Sequence, residues 1–548
     1  RLSGFSEIRG SCVELQWCLN EAPKLEKLIL ASLETGESLD LESFPRSLRR
    51  LAAGSLVDPV LLRYIRQLLL FSYKANVTHD ITTTEKAFKA FSDVNASVSE
   101  FASGLATRSP KLLDKARRHC QSVLSVIKER DMIPSHGPGA STTPKEIWTA
   151  AYSTIDSSIC PADWFACYYD ADHNAELCER QWHEEISAKL IAVPKDSRGP
   201  RLICVHPAEA IWIQQGVRRA LEKSISRKRL SYGPWPKGHI HFDNQDVNGR
   251  IALLSSRSRR YATLDMKEAS DRISDILVQI LFGSKYKMFG CCRAQKVLIP
   301  SVGASPDRCE DIHSYAPMGN ATTFPVQSLV FWAICVASLQ SQGFHQPGAV
   351  FVFGDDIIVP SECAEVVIND LESFGLLVNR TKSFWRGAFR ESCGVDAFNG
   401  VDVTPIRWKT CADAKHLTGL LQLSDLGMRL RMSGYEAAAA TVYCGLRERL
   451  QRRGKQLFLT NNPDHGGIAE YSELSSLVWR DAYWHRDYQC FVSPVHRLQG
   501  QDPVVKARHW NDVLESLCSL ERGSSGLINP DRTSSRRFWL DRGWTWIK

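Results

Sequence analysis

The stretch Ala349-Val-Phe-Val-Phe-Gly-Asp-Asp-Ile-Ile-Val-Pro360 sets two short runs of β-branched and aromatic residues on either side of Gly354-Asp355-Asp356. That pattern predicts two strands joined by a tight turn, with the glycine supplying backbone freedom. The turn then carries two adjacent carboxylates at the tip of an apolar hairpin. Carboxylates cluster at an electrostatic cost unless something positive sits against them. Hard oxygen ligands on a rigid turn suit Mg²⁺, which takes one or two carboxylates plus substrate phosphates. An exposed acidic turn would have the same sequence, so chemistry requires a second carboxylate elsewhere.

Working outward, Tyr261-Ala-Thr-Leu-Asp265 supplies one: a short strand that ends in a carboxylate. Met266–Ser274 then turns into a helix expected over Ile273–Leu281. Asp271 within it reads either as a helix N-cap or as a further polar group at the same site. The Gly-bearing loop Tyr315–Phe324 leads into an apolar helix, Pro325–Leu339, with Pro placed at the entry where its missing N–H costs nothing. That helix is apolar nearly all round and therefore core, while Asn320 and Thr323 of its loop stand beside whatever lies in front. Upstream, Leu190–Val205 reads as apolar strand, basic turn, apolar strand. Lys195, Arg198 and Arg201 at its end suit a triphosphate, for which arginine offers paired donors; a merely surface-charged hairpin is the alternative.

Bulk properties frame these motifs. With 548 residues the chain is too long for one core. Its 43% apolar and 24% charged residues are those of an ordinary globular protein. No apolar run approaches the roughly 20 residues needed to span a bilayer, and no signal peptide is seen, so no membrane partner is expected. The 17 cysteines lack paired metal-ligand spacing, which points to free thiols in a reducing compartment. His183-Glu184-Glu185 lacks the second histidine of a zinc protease. The net charge is +7, but between Lys195 and Arg229 nine Lys/Arg face three acids, a local excess of the kind a polyanion-binding surface requires.

The remaining chain is read for organisation. Residues 1–130 look helical, with apolar spacing of helical period in Leu56–Phe71 and Leu112–Ile127. Pro134–Pro144 is broken by Gly and Pro. It reads as a linker or a phosphate-facing loop, and it lacks the Lys-Ser/Thr ending of a P-loop. Ala208–Lys228 is an amphipathic helix with a basic tail, and Tyr232–Gly249 an irregular connection. Ala364–Phe374 is helical, and Leu376–Asp402 forms short strands and turns. From about residue 411 the chain is expected to be helical. Its tail interleaves Trp and Arg (Trp510, Arg536, Arg537, Trp539, Trp544, Trp546), a composition that stacks bases or packs against a neighbouring lobe.

The ordered set carries a resemblance. Val193–Arg201, Leu264–Ser274, Met318–Phe324, Phe353–Ile358, and Phe389–Gly394 with Gly400–Pro405 occur in the sequence order of right-handed polymerase palms. Over residues 134–409 the chain resembles the RNA-dependent RNA polymerase subunit of the replicases of small positive-strand RNA bacteriophages. The resemblance implies an α+β right hand: an N-terminal helical region 1–130 belonging to the fingers, and fingers 131–254 with the basic hairpin. A palm over 255–410 follows, with a finger insertion at about 283–314, and then a helical thumb and C-terminal region, 411–548. It implies nucleotidyl transfer from NTPs with two Mg²⁺, or Mn²⁺ in their place, about 3.5–4 Å apart. Asp265, Asp355 and Asp356 would be the catalytic metal ligands, and Lys382 a general acid for pyrophosphate. Lys195, Arg198 and Arg201 would hold the triphosphate. Choosing RNA requires reading a 2′-hydroxyl, both donor and acceptor, for which the resemblance offers Asp271, Asn320 and Thr323. It also implies template and product RNA, host elongation factors Tu and Ts, a host ribosomal protein, a start without primer, and the cytoplasm of an infected bacterium. A reverse transcriptase would place an aromatic residue just after Asp265, and Met266–Ser270 has none. A non-catalytic RNA-binding protein, indifferent to the carboxylates and to Mg²⁺, is the reading from another class.

Overall fold

The computed structural model describes residues 17–75, 79–128, 131–135, 140–142, 186–196, 199–228, 240–242, 244–303, 305–344, 349–408, 417–473, 478–487, 489–501 and 537–547. The chain divides into two compact units. One comprises Asn20–Leu70 and Thr78–Pro405; the other comprises Arg1–Leu19, Phe71–Val77 and Ile406–Lys548.

The larger unit opens with helices α1 (Ala22–Thr35), α2 (Arg46–Ser55), α3 (Pro59–Leu70), α4 (Ile81–Ala102) and α5 (Pro110–Leu124). The spacing of Leu56–Phe71 begins one turn before its helix does, because Asp58 accepts the Val60 N–H at 2.8 Å and Pro59 starts α3. The basic hairpin follows as β1 (Ser187–Asp196) and β2 (Gly199–Val205), then α6 (Ala208–Arg227) and α7 (Asp246–Ser258). Helix α7 starts inside Tyr232–Gly249, which was expected to be irregular throughout. Asn244 accepts the Asp246 N–H and an acidic residue opens the first turn, an N-terminal signal hidden by the surrounding Gly and Pro.

Strand β3 (Tyr261–Asp265) precedes two helices rather than the one expected: α8 (Ala269–Arg272) and α9 (Asp275–Phe282). Ser274, not Asp271, caps α9, accepting the Leu277 N–H at 3.1 Å. After α10 (Tyr286–Gly290), strands β4 (Lys296–Ile299) and β5 (Arg308–Asp311) join the basic hairpin in a sheet of order β2-β1-β4-β5. Its β1–β4 pair is parallel and its other two pairs are antiparallel.

Helix α11 (Thr323–Ser341) is long and apolar enough to cross a membrane by length and composition, which corrects the count of apolar runs made from the sequence. The corresponding window is 78% buried inside the protein, so α11 is a core helix. Strands β6 (Phe351–Phe353) and β7 (Asp356–Pro360) complete an antiparallel sheet of order β3-β7-β6, followed by α12 (Ala364–Ser373). Val326, Leu329 and Val330 of α11 and Leu264, Val352 and Ile357 of the sheet lie in one apolar core and are almost fully buried. Burying each such side chain contributes about 1.5–3 kcal/mol, so this core holds in place the sheet and turn that carry the three aspartates. A third sheet, β10-β9-β8, is built from β8 (Phe389–Ser392), β9 (Val395–Phe398) and β10 (Val401–Asp402).

The smaller unit holds the helix pair α13 (Leu417–Met432) and α14 (Glu436–Gln451), packed through Leu426, Leu430, Tyr443 and Leu446. Beyond them the expectation of continuing helix is wrong. Strands β11 (Leu459–Thr460) and β12 (Glu470–Tyr471) pair in parallel, and β13 (Tyr483–His485), β14 (Cys490–Gln501) and β15 (Arg537–Trp546) form an antiparallel sheet. Aromatic and β-branched residues in the last strands favour a pleated, half-buried surface over a helix. Of the Trp/Arg tail, Trp510 and Arg536 lie outside the described residues. All eleven cysteines among the described residues are free thiols.

Candidate active site

The pairing of β3 with β7 decides the geometry: Asp265 stands directly opposite Asp356 in the ladder, and the Met266 N–H donates to the Asp355 carbonyl at 3.3 Å. The hairpin tip thus lies against the end of the strand that carries Asp265. Gly354 turns the chain at φ +63°, and a Cβ there would meet the Phe324 ring at 2.5 Å. The Gly354 N–H donates to Ser328 Oγ of α11 at 3.2 Å, fixing the turn to the core helix. Asp355 is exposed at the tip, whereas Asp265 and Asp356 are partly buried.

Each of the two inner carboxylates has its own anchors. Asn379 Nδ2 donates to Asp265 Oδ2 at 2.8 Å, and Lys382 Nζ lies 3.9 Å from the same oxygen. Ser392 Oγ and the Cys393 N–H, from the β8–β9 turn, donate to Asp356 Oδ1 and Oδ2 at 3.4 and 3.2 Å. Burial, then the Asp355 and Asp265 charges, push the Asp356 carboxyl up to about 7, against the opposing Cys393 bonds. Burial likewise raises Asp265, opposed first by Lys382 and reinforced by Asp355, with Asn379 and Lys195 also favouring the charged form. The carboxylates therefore repel one another across a partly dry space, with lysine the nearest compensating charge.

The basic hairpin is tied to the Gly-Asn loop by the Cys204 N–H, which donates to the Met318 carbonyl at 2.8 Å. Backbone and backbone approach so closely there that a Cβ on Gly319 would meet the Cys204 oxygen at 2.1 Å. Lys195 is exposed and acts electrostatically on Asp265, which brings this end of the hairpin to the site. Arg201 is exposed on β2. Arg198 lies outside the described residues.

The Met318 N–H also bonds to Asp271, whose carboxyl burial lifts to about 6 against the Ser270 hydroxyl bond. Asn320 is 5% exposed, and its Oδ1 accepts from both the N–H and the hydroxyl of Thr322 at 2.8 Å. Its Nδ2 is buried with no hydrogen-bond partner among the described residues. A buried amide donor left unpaired costs about 1–3 kcal/mol, so this group is poised for an acceptor from outside the chain. Thr323 differs: its hydroxyl donates to the Ala316 and Pro317 carbonyls at 3.2 and 3.1 Å, bracing the loop, so towards a ligand it offers lone pairs only.

The sequence reading passed over several groups that shape this site. Asn379 lies three residues before Lys382, in a stretch read only for its lysine. Ser392 and Cys393 lie in a motif quoted for its likeness alone. Gln214 of α6 is buried and receives the Ala321 N–H at 3.3 Å while donating to the Cys292 carbonyl at 2.8 Å. Nothing in an amphipathic helix pattern distinguishes such a glutamine from a solvated one.

Residues 162–424 match the family described as RNA replicase, beta-chain. The chain is 34% identical over 243 residues to the RNA-directed RNA polymerase beta chain of Enterobacteria phage fr, covering 44% of this chain and 40% of that one. It is 35% identical over 225 residues to the corresponding chain of Escherichia phage MS2, covering 41% and 38%. With the RNA-directed RNA polymerase subunit beta of Escherichia virus Qbeta the identity is 32% over 284 residues, covering 51% and 44%. The aligned part thus spans less than half the length of each of these relatives. Among solved structures the chain is similar to the RNA-dependent RNA polymerase of a human picorbirnavirus, with a TM-score of 0.42 and 12% identity over 76% of this chain and 83% of that one.

Proposed function

We propose, from the match of residues 162–424 to the family described as RNA replicase, beta-chain, that this chain is an RNA-directed RNA polymerase that copies single-stranded RNA from NTPs. The observation that carries the proposal is Asp265 facing Asp356 across the β3–β7 ladder with Asp355 at the adjoining tip. Asp265 and Asp356, both pushed towards protonation by burial and by the neighbouring Asp355 charge, are a donor set that a divalent cation relieves. Among the described residues no three carboxylate, histidine or cysteine side chains lie close enough to enclose an ion unaided. Mg²⁺ is bound through one or two carboxylates and keeps water and substrate phosphate among its ligands. Asp265, Asp355 and Asp356 would hold two such ions, with Mn²⁺ able to replace them; when bound, the ions would activate the attacking 3′-oxygen and offset charge on the leaving pyrophosphate.

The chain's own residues supply positioning. In the reaction a 3′-hydroxyl bonds to the α-phosphorus of an NTP as the bond to pyrophosphate breaks, and phosphoryl transfer depends on alignment and charge. Lys195, Arg198 and Arg201 hold the triphosphate. Lys382, beside Asp265, would give its proton to pyrophosphate. Asn320 Nδ2 donates to the ribose 2′-hydroxyl and Asp271 accepts from it, a pair that a deoxyribose would leave unmatched; Thr323 holds the loop that presents Asn320. In this reading the basic hairpin sheet belongs to the fingers with residues 1–254, the 255–410 region is the palm with a finger insertion at about 283–314, and 411–548 is the thumb and C-terminal region. The proposal extends to a start without primer and to work in the cytoplasm of an infected bacterium, assisted by host elongation factors Tu and Ts and a ribosomal protein.

Incorporation of labelled NTP on single-stranded RNA tests this, with and without Mg²⁺, dNTP competitors and bacterial extract. Asp355→Asn should lose incorporation while keeping RNA affinity. Unaltered incorporation by that variant would reject the site, and RNA binding with no incorporation under any condition would favour a non-catalytic RNA-binding protein.

A further inference from the structure

Asp265 is clamped by a segment that follows the hairpin at a distance. The Lys267 N–H donates to the Leu377 carbonyl and the Asn379 N–H to the Asp265 carbonyl, both at 2.8 Å. The Asp265 N–H donates to Ser383 Oγ at 3.0 Å, and Thr263 and Phe384 exchange backbone bonds at 3.0 and 2.8 Å. Between these pairings, residues 379–382 make a turn closed by the Lys382 N–H on the Asn379 carbonyl at 2.9 Å. Both ends of the turn address Asp265, and both reach the same oxygen, Oδ2.

They do so in different ways. Lys382 is 42% exposed and 3.9 Å away, a charge contact rather than a hydrogen bond. Asn379 bonds at 2.8 Å, and its amide has only one workable orientation. Thr381 donates its hydroxyl to Asn379 Oδ1 at 2.9 Å, which turns Nδ2, the donor, to the carboxylate. A neutral amide fixes the carboxylate without cancelling the charge a cation needs. We infer that Asn379 is the positioning residue of Asp265: it holds the carboxylate, through Oδ2, in the orientation the divalent ions would meet, so that it sets the chain's metal affinity. This inference rests on the two-metal reading of Asp265 given above.

Partners that orient a metal ligand typically change metal affinity or activity by about 10–100-fold when lost. The test uses the full chain, with Asn379→Ala, Asn379→Asp and, as control, Asp355→Asn. Two titrations are read: the Mg²⁺ midpoint of labelled-NTP incorporation, and binding of Mn²⁺ alone, followed by the electron paramagnetic resonance of the free ion. Asn379→Ala should raise both midpoints by roughly 10-fold or more, with much of the maximal rate returning at saturating metal. Asn379→Asp keeps the shape and the Thr381 bond but exchanges the donor for a like charge beside Asp265, and should also move both midpoints. Unmoved midpoints in both variants, even with a lower melting temperature, overturn the inference while Asp355→Asn remains inactive. Full incorporation by Asp355→Asn would instead bring down the metal reading, and this inference with it.

Discussion

Two three-stranded antiparallel sheets in this chain invite comparison. In β3-β7-β6 the apolar residues are buried and the strands are short, yet the sheet ends in carboxylates that burial holds towards protonation. In β13-β14-β15 the ladder is longer, and Tyr483, Trp484 and Phe491 remain 41–47% exposed. Trp484 and Phe491 meet edge to face with centroids 5.0 Å apart, an arrangement that aromatic pairs favour. The second sheet follows the local rules of a half-solvated surface. The first breaks one, placing like charges together in a partly dry site, and such conflicts mark function more reliably than packing does.

Substitutions can break that contrast. Asp355→Asn carries the largest expected effect: a loss of incorporation on the order of 10²-fold or more, the scale of removing one preorganised charge-stabilising group. Phe491→Ala, in the other sheet, should leave incorporation unaltered in the same assay. Next in size is Arg66→Ala. Arg66 is fully buried, bonded to Glu26 and Asp396 at 2.9 Å and to the Val403 carbonyl at 3.1 Å, and its loss strands two buried acids. Denaturant unfolding should show a destabilisation of about 3–5 kcal/mol.

A smaller effect concerns pH. The Asp356 carboxyl is held at about 7 from an ordinary 3.8, so between those values the folded metal-free chain keeps a proton that the unfolded chain releases. Stability should therefore fall as pH rises from about 4 to about 7. Melting curves of Asp356→Asn should lack that part of the slope, and an identical slope in the variant would contradict the assignment. The smallest effect is expected at Arg447, which is 47% exposed where it pairs with Glu470. Arg447→Ala should cost no more than about 1 kcal/mol by the same unfolding measurement, because solvent screens the pair and Arg431 still holds Glu470.

What could be read from the sequence follows from the same contrast. The β3 strand, the hairpin and the α11 core helix were legible because short apolar runs bounded by Gly, Pro and Asp have one economical reading. The approach of Asp265 to the tip was expected from a resemblance between ordered motifs, since no local pattern encodes a pairing across about ninety residues. Helix α7 was obscured because its start sits among Gly, His and aromatic residues. The strands after residue 458 were missed because alternating burial is weak where one face stays exposed. Asn379, Ser392 and Gln214 escaped because an amide or hydroxyl has no charge signature, and its meaning lies in which partner the fold brings to it. Thr323 was legible as a polar group at the loop, but only the folded structure shows its proton already committed to two carbonyls.

The most direct measurement is an anomalous difference map from crystals of the full chain soaked with Mn²⁺ and an NTP. The account predicts density for divalent ions in contact with Asp265 and with Asp355 or Asp356. Ions bound elsewhere, with those three side chains left bare beside an ordered triphosphate, would contradict it.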